Sequence, residues 1–225
     1  MALSILPVEP EDVELLVRKV GFPAYQDNPL HRLMFPRSTE QQREDEIRWT
    51  IDGLLEAVHR GDEALYKACG EDGSPVGFIG WTTNPGASPK GMDSETSTNC
   101  VHDCPVVKSA ERGGTKLKNW NRFTPPSLDV ISQRVISSCP GNNGISRIAS
   151  MAVDPNHQRQ GVGSTLMKIF CDYVDGNELN AFVMSSPAGI RLYYRYGFNA
   201  VGIVETKQGN FTSMLRTSGS SSVMK

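Results

Sequence analysis

From Ile148 to Val153 the chain reads Ile-Ala-Ser-Met-Ala-Val, a nearly unbroken apolar run short enough to be a buried strand. Asp154-Pro155 stops it with a turn dipeptide. The period then changes. Val162, Leu166, Ile169, Phe170 and Tyr173 share one face of a repeat of about 3.6 residues, which predicts an amphipathic helix. Between strand and helix lies Gln158-Arg159-Gln160-Gly161-Val162-Gly163.

The same patterns divide the rest of the chain. Residues 3–6 alternate weakly and predict a first strand ended by Pro7. Pro10-Glu11-Asp12 opens a helix whose apolar face is Val13, Leu16, Val17 and Val20. Residues 21–37, with Tyr25, His31 and Phe35, read as a loop or broken helix. Two overlapping capping boxes, Ser38 with Gln41 and Thr39 with Gln42, precede a helix striped by Ile47, Ile51, Leu54, Leu55 and Val58 and stopped at Gly61. Residues 64–69 and 76–82 predict an antiparallel hairpin across the turn at 70–73. Residues 84–126 carry no sustained period and few aliphatics, the mark of a flexible insertion in which Val106-Val107, Leu117, Trp120 and Phe123 are the groups able to dock. A short helix with Leu128, Ile131 and Val135 follows, then a glycine-bounded turn at 141–144. Two strands, 200–206 and 211–216, join across 207–210, and 218–225 form a serine-rich, disordered tail.

A strand, a glycine-containing loop and a helix start together make an anion site. The first N–H groups of a helix lack internal partners, and the macrodipole adds about half a positive charge there. Gly161 and Gly163 would let a phosphate approach the backbone closely. The Gly-x-x-x-x-Gly-Lys-Ser/Thr nucleotide loop is absent, and the dinucleotide fingerprint fails because Leu166 stands where its third glycine belongs. What fits is Arg/Gln-x-x-Gly-x-Gly/Ala, filled by Gln158, Gly161 and Gly163 after Met151-Ala152-Val153-Asp154-Pro155. This block resembles the acetyl-CoA pyrophosphate loop of the GNAT superfamily of N-acetyltransferases. Residues 179–198 resemble the same superfamily: a strand, then a short helix ending Leu192-Tyr193-Tyr194-Arg195-Tyr196, then Gly197-Phe198.

The resemblance, to a small member of fungal type, implies an α/β (α+β) fold. Its central mixed sheet has six to seven strands flanked by about four helices, with strands four and five splayed around acetyl-CoA. It implies one domain over residues 1–217, interrupted by the insertion. It also implies an acyltransferase that moves an acetyl group from acetyl-CoA to a primary amine of a small molecule or a protein by direct attack on the thioester. Cofactor contacts carry over to Met151, Ala152 and Val153 on the strand, and to Gln158, Arg159, Gln160, Gly161, Val162, Gly163 and Ser164 around the pyrophosphate. Tyr193 falls at the place of the superfamily's general acid, and a phenol of pKa about 10 can protonate a departing thiolate. The glutamate that some members carry early in the central strand is missing from Ser146-Arg147-Ile148. His31 and Glu205 stand as candidate bases, and a catalytically silent acetyl-CoA-binding module as the alternative function.

Composition narrows this modestly. A chain of 225 residues, 38% apolar and 21% charged, suits one globular domain. A formal charge of −2 leaves no basic footprint for nucleic acid. No apolar run reaches the roughly 18 residues of a membrane span, and no leader pattern opens the chain, so the expectation is a cytoplasmic protein, with the nucleus left open, as monomer or homodimer. Five cysteines without regular spacing suit free thiols. Cys100, His102 and Cys104 lack a second cluster to complete a tetrahedral site, so no metal is expected.

Overall fold

The computed structural model describes residues 2–35, 39–83, 144–206 and 209–219, with the backbone of a short strand at Val106–Lys108. Outside these lie most of the insertion, the helix expected around Ile131, Ser38, the Cys100–His102–Cys104 group and the end of the tail.

The chain opens with β1 (Ser4–Pro7), whose proline is tolerated because the strand pairs only with β2 and so lies at an edge. A 3-10 turn (Pro10–Asp12) leads into α1 (Val13–Leu16), a π-helical turn (Val17–Gly21) and α2 (Phe22–Ala24). The predicted face of Val13, Leu16, Val17 and Val20 is buried throughout. Residues expected as loop or broken helix contain α3 (Pro29–Met34). The long α4 (Glu40–Arg60) starts at the predicted box: the Thr39 side chain accepts from the Gln42 amide N–H at 3.2 Å, and the Gln42 side chain from that of Thr39 at 3.1 Å. It stops at Gly61, where φ is +64°.

β2 (Glu63–Cys69) and β3 (Pro75–Thr82) form the expected hairpin. After β4 (Val106–Lys108) come β5 (Ile145–Val153), a 3-10 turn (Pro155–His157) and α5 (Val162–Gly176). β6 (Asn180–Ser185), α6 (Ile190–Arg195), β7 (Asn199–Thr206) and β8 (Gly209–Arg216) complete the fold. The mixed sheet runs β1-β2-β3-β5-β6-β8-β7-β4. Seven of its strands were anticipated. The three-residue β4, parallel to β7 at Val106↔Ile203, adds an eighth from within the segment read as lacking structure.

Each face of the sheet carries its own core. On one, Leu166, Met167, Phe170 and Val174 of α5 pack on Ile79, Trp81, Ala181, Val183 and Met214. On the other, Val13, Leu16, Val17, Val20, Ile47 and Leu54 cover Leu65 and Phe78. β3 alternates between the two, so nearly all of it is buried. Full burial of one such side chain is worth about 1.5–3 kcal/mol. α5 sits close because β3 has glycine beneath it: a Cβ on Gly77 would lie 2.8 Å from Val162 Cγ1 and 3.2 Å from the Ala152 carbonyl oxygen.

The site is set by one defect in the sheet. β5 and β6 pair in parallel only at Ile145↔Asn180, Ser146↔Ala181 and Arg147↔Phe182. Beyond Arg147, β5 follows β3 and β6 follows β8. The register of β5 on β3 slips between Ile148 and Ser150, leaving Ala149 as a bulge, and bulges bend a strand away from its neighbour. A wedge therefore opens between β5 and β6.

Candidate functional site

One wall of the wedge is the free edge of β5. Asp154 N–H reaches the Val76 carbonyl of β3 at 2.9 Å. In an antiparallel pair the bonding direction alternates, so Ala152 also faces β3, whereas Met151 and Val153 turn N–H and C=O into the wedge. Two side-chain bonds agree with this. The Tyr25 hydroxyl donates to the Met151 carbonyl at 3.1 Å, and Gln158 Nε2 to that of Val153 at 3.3 Å. Of the three strand residues expected at the cofactor, Met151 and Val153 thus present backbone donors to the opening. Ala152 is buried and gives its polar groups to the sheet.

At the end of β5 the chain turns over an anchored carboxylate. Asp154, buried, accepts from the Asn156 amide N–H at 3.0 Å and lies 3.0 Å from His157 Nδ1. The loop then leaves ordinary backbone space twice, at Arg159 (φ +63°) and Gly161 (φ +91°). Alternating conformations of this kind point successive N–H groups into one concavity. Gly161 is the N-cap of α5, and no side chain caps the helix there. Gln158, Arg159, Gln160 and Gly161 are all exposed, while Val162 is buried and fixes the loop to the core. The Tyr196 hydroxyl donates to the Ser164 carbonyl at 2.7 Å, pinning the first turn of α5 from the side. Gly163 lets Leu192 of α6 pack close to α5, since a Cβ there would lie 3.2 Å from Leu192 Cδ2.

Tyr193 reaches the wedge from the α5 face. Its ring packs edge-on against Phe198 at 5.6 Å, and its hydroxyl points to Met151 Sδ at 3.7 Å. Burial pushes its phenol well above the ordinary value, so it holds its proton. Tyr194, by contrast, is half exposed. Tyr25 comes from the other face. Burial raises its phenol too, with the Tyr193 phenol adding to the shift, and both hydroxyls lie against Met151.

Behind Tyr25 stands a row that sequence reading left unassembled. The His31 ring stacks on Tyr25 at 4.5 Å, and His31 Nδ1 lies 3.1 Å from Glu46 Oε1, both residues buried. Phe35 and Trp49 extend the row. Glu205, the other candidate base, is exposed on β7 near the tip of the β7–β8 hairpin. A signal for Glu46 was present: Glu46, Thr50, Gly53 and Ala57 form a second row beside the apolar stripe of α4, and all four are buried.

Residues 130–200 match the family model of the acetyltransferase (GNAT) domain. Among curated proteins, none matches the chain. Solved structures match over nearly its whole length. A histone acetyltransferase HPA2 and related acetyltransferase from Corynebacterium glutamicum is 15% identical, with a TM-score of 0.60 over 97% of this chain and 98% of its own. The fold is the GNAT fold. The PaiA N-acetyltransferase of Thermoplasma acidophilum, solved with coenzyme A, is 14% identical at a TM-score of 0.55, covering 96% of this chain and 99% of its own. A phosphinothricin acetyltransferase of the GNAT superfamily from Sinorhizobium meliloti, solved with acetyl-CoA, is 14% identical at 0.54, covering 100% and 93%. None of these sources supports the fungal-type expectation. In GNAT terms, setting β4 aside, β5 and β6 are strands four and five, and the wedge is their splay.

Proposed function

We propose that the protein is a GNAT acetyltransferase that uses acetyl-CoA to acetylate a primary amine of a small molecule or a protein. The observation that carries the reading is the continuity of donors. The free N–H groups of Met151 and Val153 run along the open edge of β5, then into the Arg159–Gly161 concavity and the uncapped start of α5. A ladder of amides ending in an anion cradle fits an extended amide-bearing arm joined to a pyrophosphate. The relatives solved with coenzyme A and acetyl-CoA support the same reading.

Acetyl-CoA, when bound, supplies the acyl group as an activated thioester. In this reading the Gln158–Ser164 loop holds the diphosphate through backbone N–H, with Arg159 adding charge, and no metal takes part. Val153 N–H aligns the arm, and Met151 N–H donates to the thioester carbonyl oxygen, which gains charge when an amine attacks. Tyr193, kept neutral by burial, gives its proton to the leaving sulfur.

A second reading, a silent acetyl-CoA-binding module, draws on one observation: β5, Ile145–Val153, contains no carboxylate. One assay separates the two. Acetyl-CoA would be supplied with spermidine, ethanolamine, L-lysine, phenylethylamine and a lysine peptide in turn, and free thiol followed. Thiol release that depends on one of these amines supports the enzyme; binding of acetyl-CoA without release supports the module.

A further inference from the structure

We infer that His31, held by Glu46, takes the proton from the acceptor amine. This rests on the acetyltransferase reading above and names the base which that reading leaves open.

The geometry leads from a buried carboxylate to the wedge. Glu46 is 1% exposed and His31 8%. Their 3.1 Å contact fixes the imidazole through Nδ1, leaving Nε2 as its second nitrogen. The ring lies flat against Tyr25, whose hydroxyl rests on the Met151 carbonyl at the wall of the wedge. The Tyr25 hydroxyl thereby ties the dyad's face of the sheet to the residue whose N–H would hold the thioester carbonyl. α3 also meets the β8 end of the site: a Cβ on Gly209 would lie 2.8 Å from Pro29 Cγ. Through Tyr25 the dyad stands on the α1–α4 face of the sheet, opposite the face from which Tyr193 comes. A carboxylate this deeply buried is costly unless its charge is used or matched.

The protons balance. An ammonium acceptor carries three N–H protons and the amide product keeps one. His31 takes the first before attack and returns it to solvent. The nitrogen lone pair forms the C–N bond, the C–S bond breaks, and Tyr193 protonates the sulfur. The second nitrogen proton then restores the Tyr193 phenol. Glu46 is a positioning residue in this scheme: it orients the imidazole through Nδ1.

Among the described residues, the charged and titratable groups around His31 are few. α4 supplies Glu46 and the segment before α3 supplies Tyr25, while on α3 itself Arg32 is paired with Asp27. The only charged residue of β8, Arg216, is bound by Asp175.

The test measures kcat against pH for the wild type, H31Q and E46Q, using whichever panel amine the wild type acetylates fastest, with acetyl-CoA affinity measured by calorimetry. H31Q should keep its affinity, lose about 10²–10⁴-fold in kcat, and lose the acid limb of the profile. E46Q should keep its acetyl-CoA affinity and the limb, since His31 remains, and lose kcat less than H31Q does, while E46D, measured beside it, should recover part of that loss. If H31Q does not fold, the loss of kcat in E46Q and its recovery in E46D decide. A limb unchanged in H31Q, or a kcat unchanged in E46Q, with stability alone reduced, overturns the proposal in favour of a packing pair. A wild type that binds acetyl-CoA and acetylates no panel amine also overturns it, leaving the cofactor reading intact. A wild type that does not bind acetyl-CoA overturns the acetyltransferase reading itself.

Discussion

Two phenols approach Met151 from opposite faces of the sheet, and their chemistry differs through what lies behind each. Tyr193 belongs to the α5 core and has Phe198 at its back; Tyr25 belongs to the α1–α4 core and has His31 and Glu46. Tyr193→Phe keeps the ring and removes the proposed acid, so kcat should fall about 10²–10⁴-fold while acetyl-CoA affinity holds. Tyr194→Phe, at a half-exposed position, is the control and should leave both unchanged. Because burial raises the Tyr193 phenol, the activity it supports should persist past the ordinary phenol value of about 10 before an alkaline limb sets in. Tyr193 was legible in the sequence because its neighbours Leu192 and Gly197-Phe198 are local. The Tyr25–His31–Glu46 row was not, because its members come from the end of α2, from α3 and from α4, and only packing brings them together.

At the scale of elements, the strand–loop–helix unit from Ile145 to Gly176 was readable from periodicity and glycine placement. The wedge was not readable from those local patterns and came only as an implication of the family resemblance. It depends on β5 pairing with β6 at three positions and no more, a non-local register that no local pattern encodes. The contact beneath the unit gives a direct check. Gly77→Ala places a methyl against Val162 and the Ala152 carbonyl, an overpacking that should cost about 1–3 kcal/mol. In a domain of this size the melting temperature should drop by roughly 2–4 °C per kcal/mol. The strain falls on Val162, the first residue of α5, so acetyl-CoA affinity should fall with stability. A melting temperature equal to wild type would mean that α5 is not seated on β3 as described.

Over the whole molecule, the two cores join through the sheet, and the end of β8 closes the side away from the wedge. Arg216, fully buried at the end of β8, donates to the Tyr196 carbonyl at 2.9 Å and binds both Asp175 oxygens of α5. The lower part of α6, the end of α5 and the last strand are thereby tied together, opposite the wedge. No helix among the described residues is long and apolar enough to cross a membrane. The two buried phenols also set a pH signature. Each stays protonated in the fold where an unfolded tyrosine ionises, so the native state binds more protons above pH about 10. The stability they contribute is therefore complete below that value and is lost as pH rises from it towards their folded values. Urea midpoints measured between pH 9 and 11 should decline, and less steeply in Tyr25→Phe and Tyr193→Phe. A decline equal in wild type and variants would assign it to other groups.

The central claim, that the open edge of β5 and the loop below it hold acetyl-CoA, rests on backbone rather than side chains, so the decisive change must act on backbone. Gly161→Val does so. At φ +91° a β-branched residue is strained, although nothing lies within 4 Å of the new Cβ, and the loop must move to relieve it. Gly61→Val imposes a similar strain at φ +64°, also in open space, at the end of α4 and away from the loop. Titration calorimetry with acetyl-CoA on wild type and both folded variants is the most direct measurement. The account predicts binding by the wild type, at least about tenfold weaker binding by Gly161→Val, equivalent to about 1.4 kcal/mol, and wild-type affinity in Gly61→Val. Equal affinity in wild type and Gly161→Val, or no heat of binding in the wild type, would contradict it.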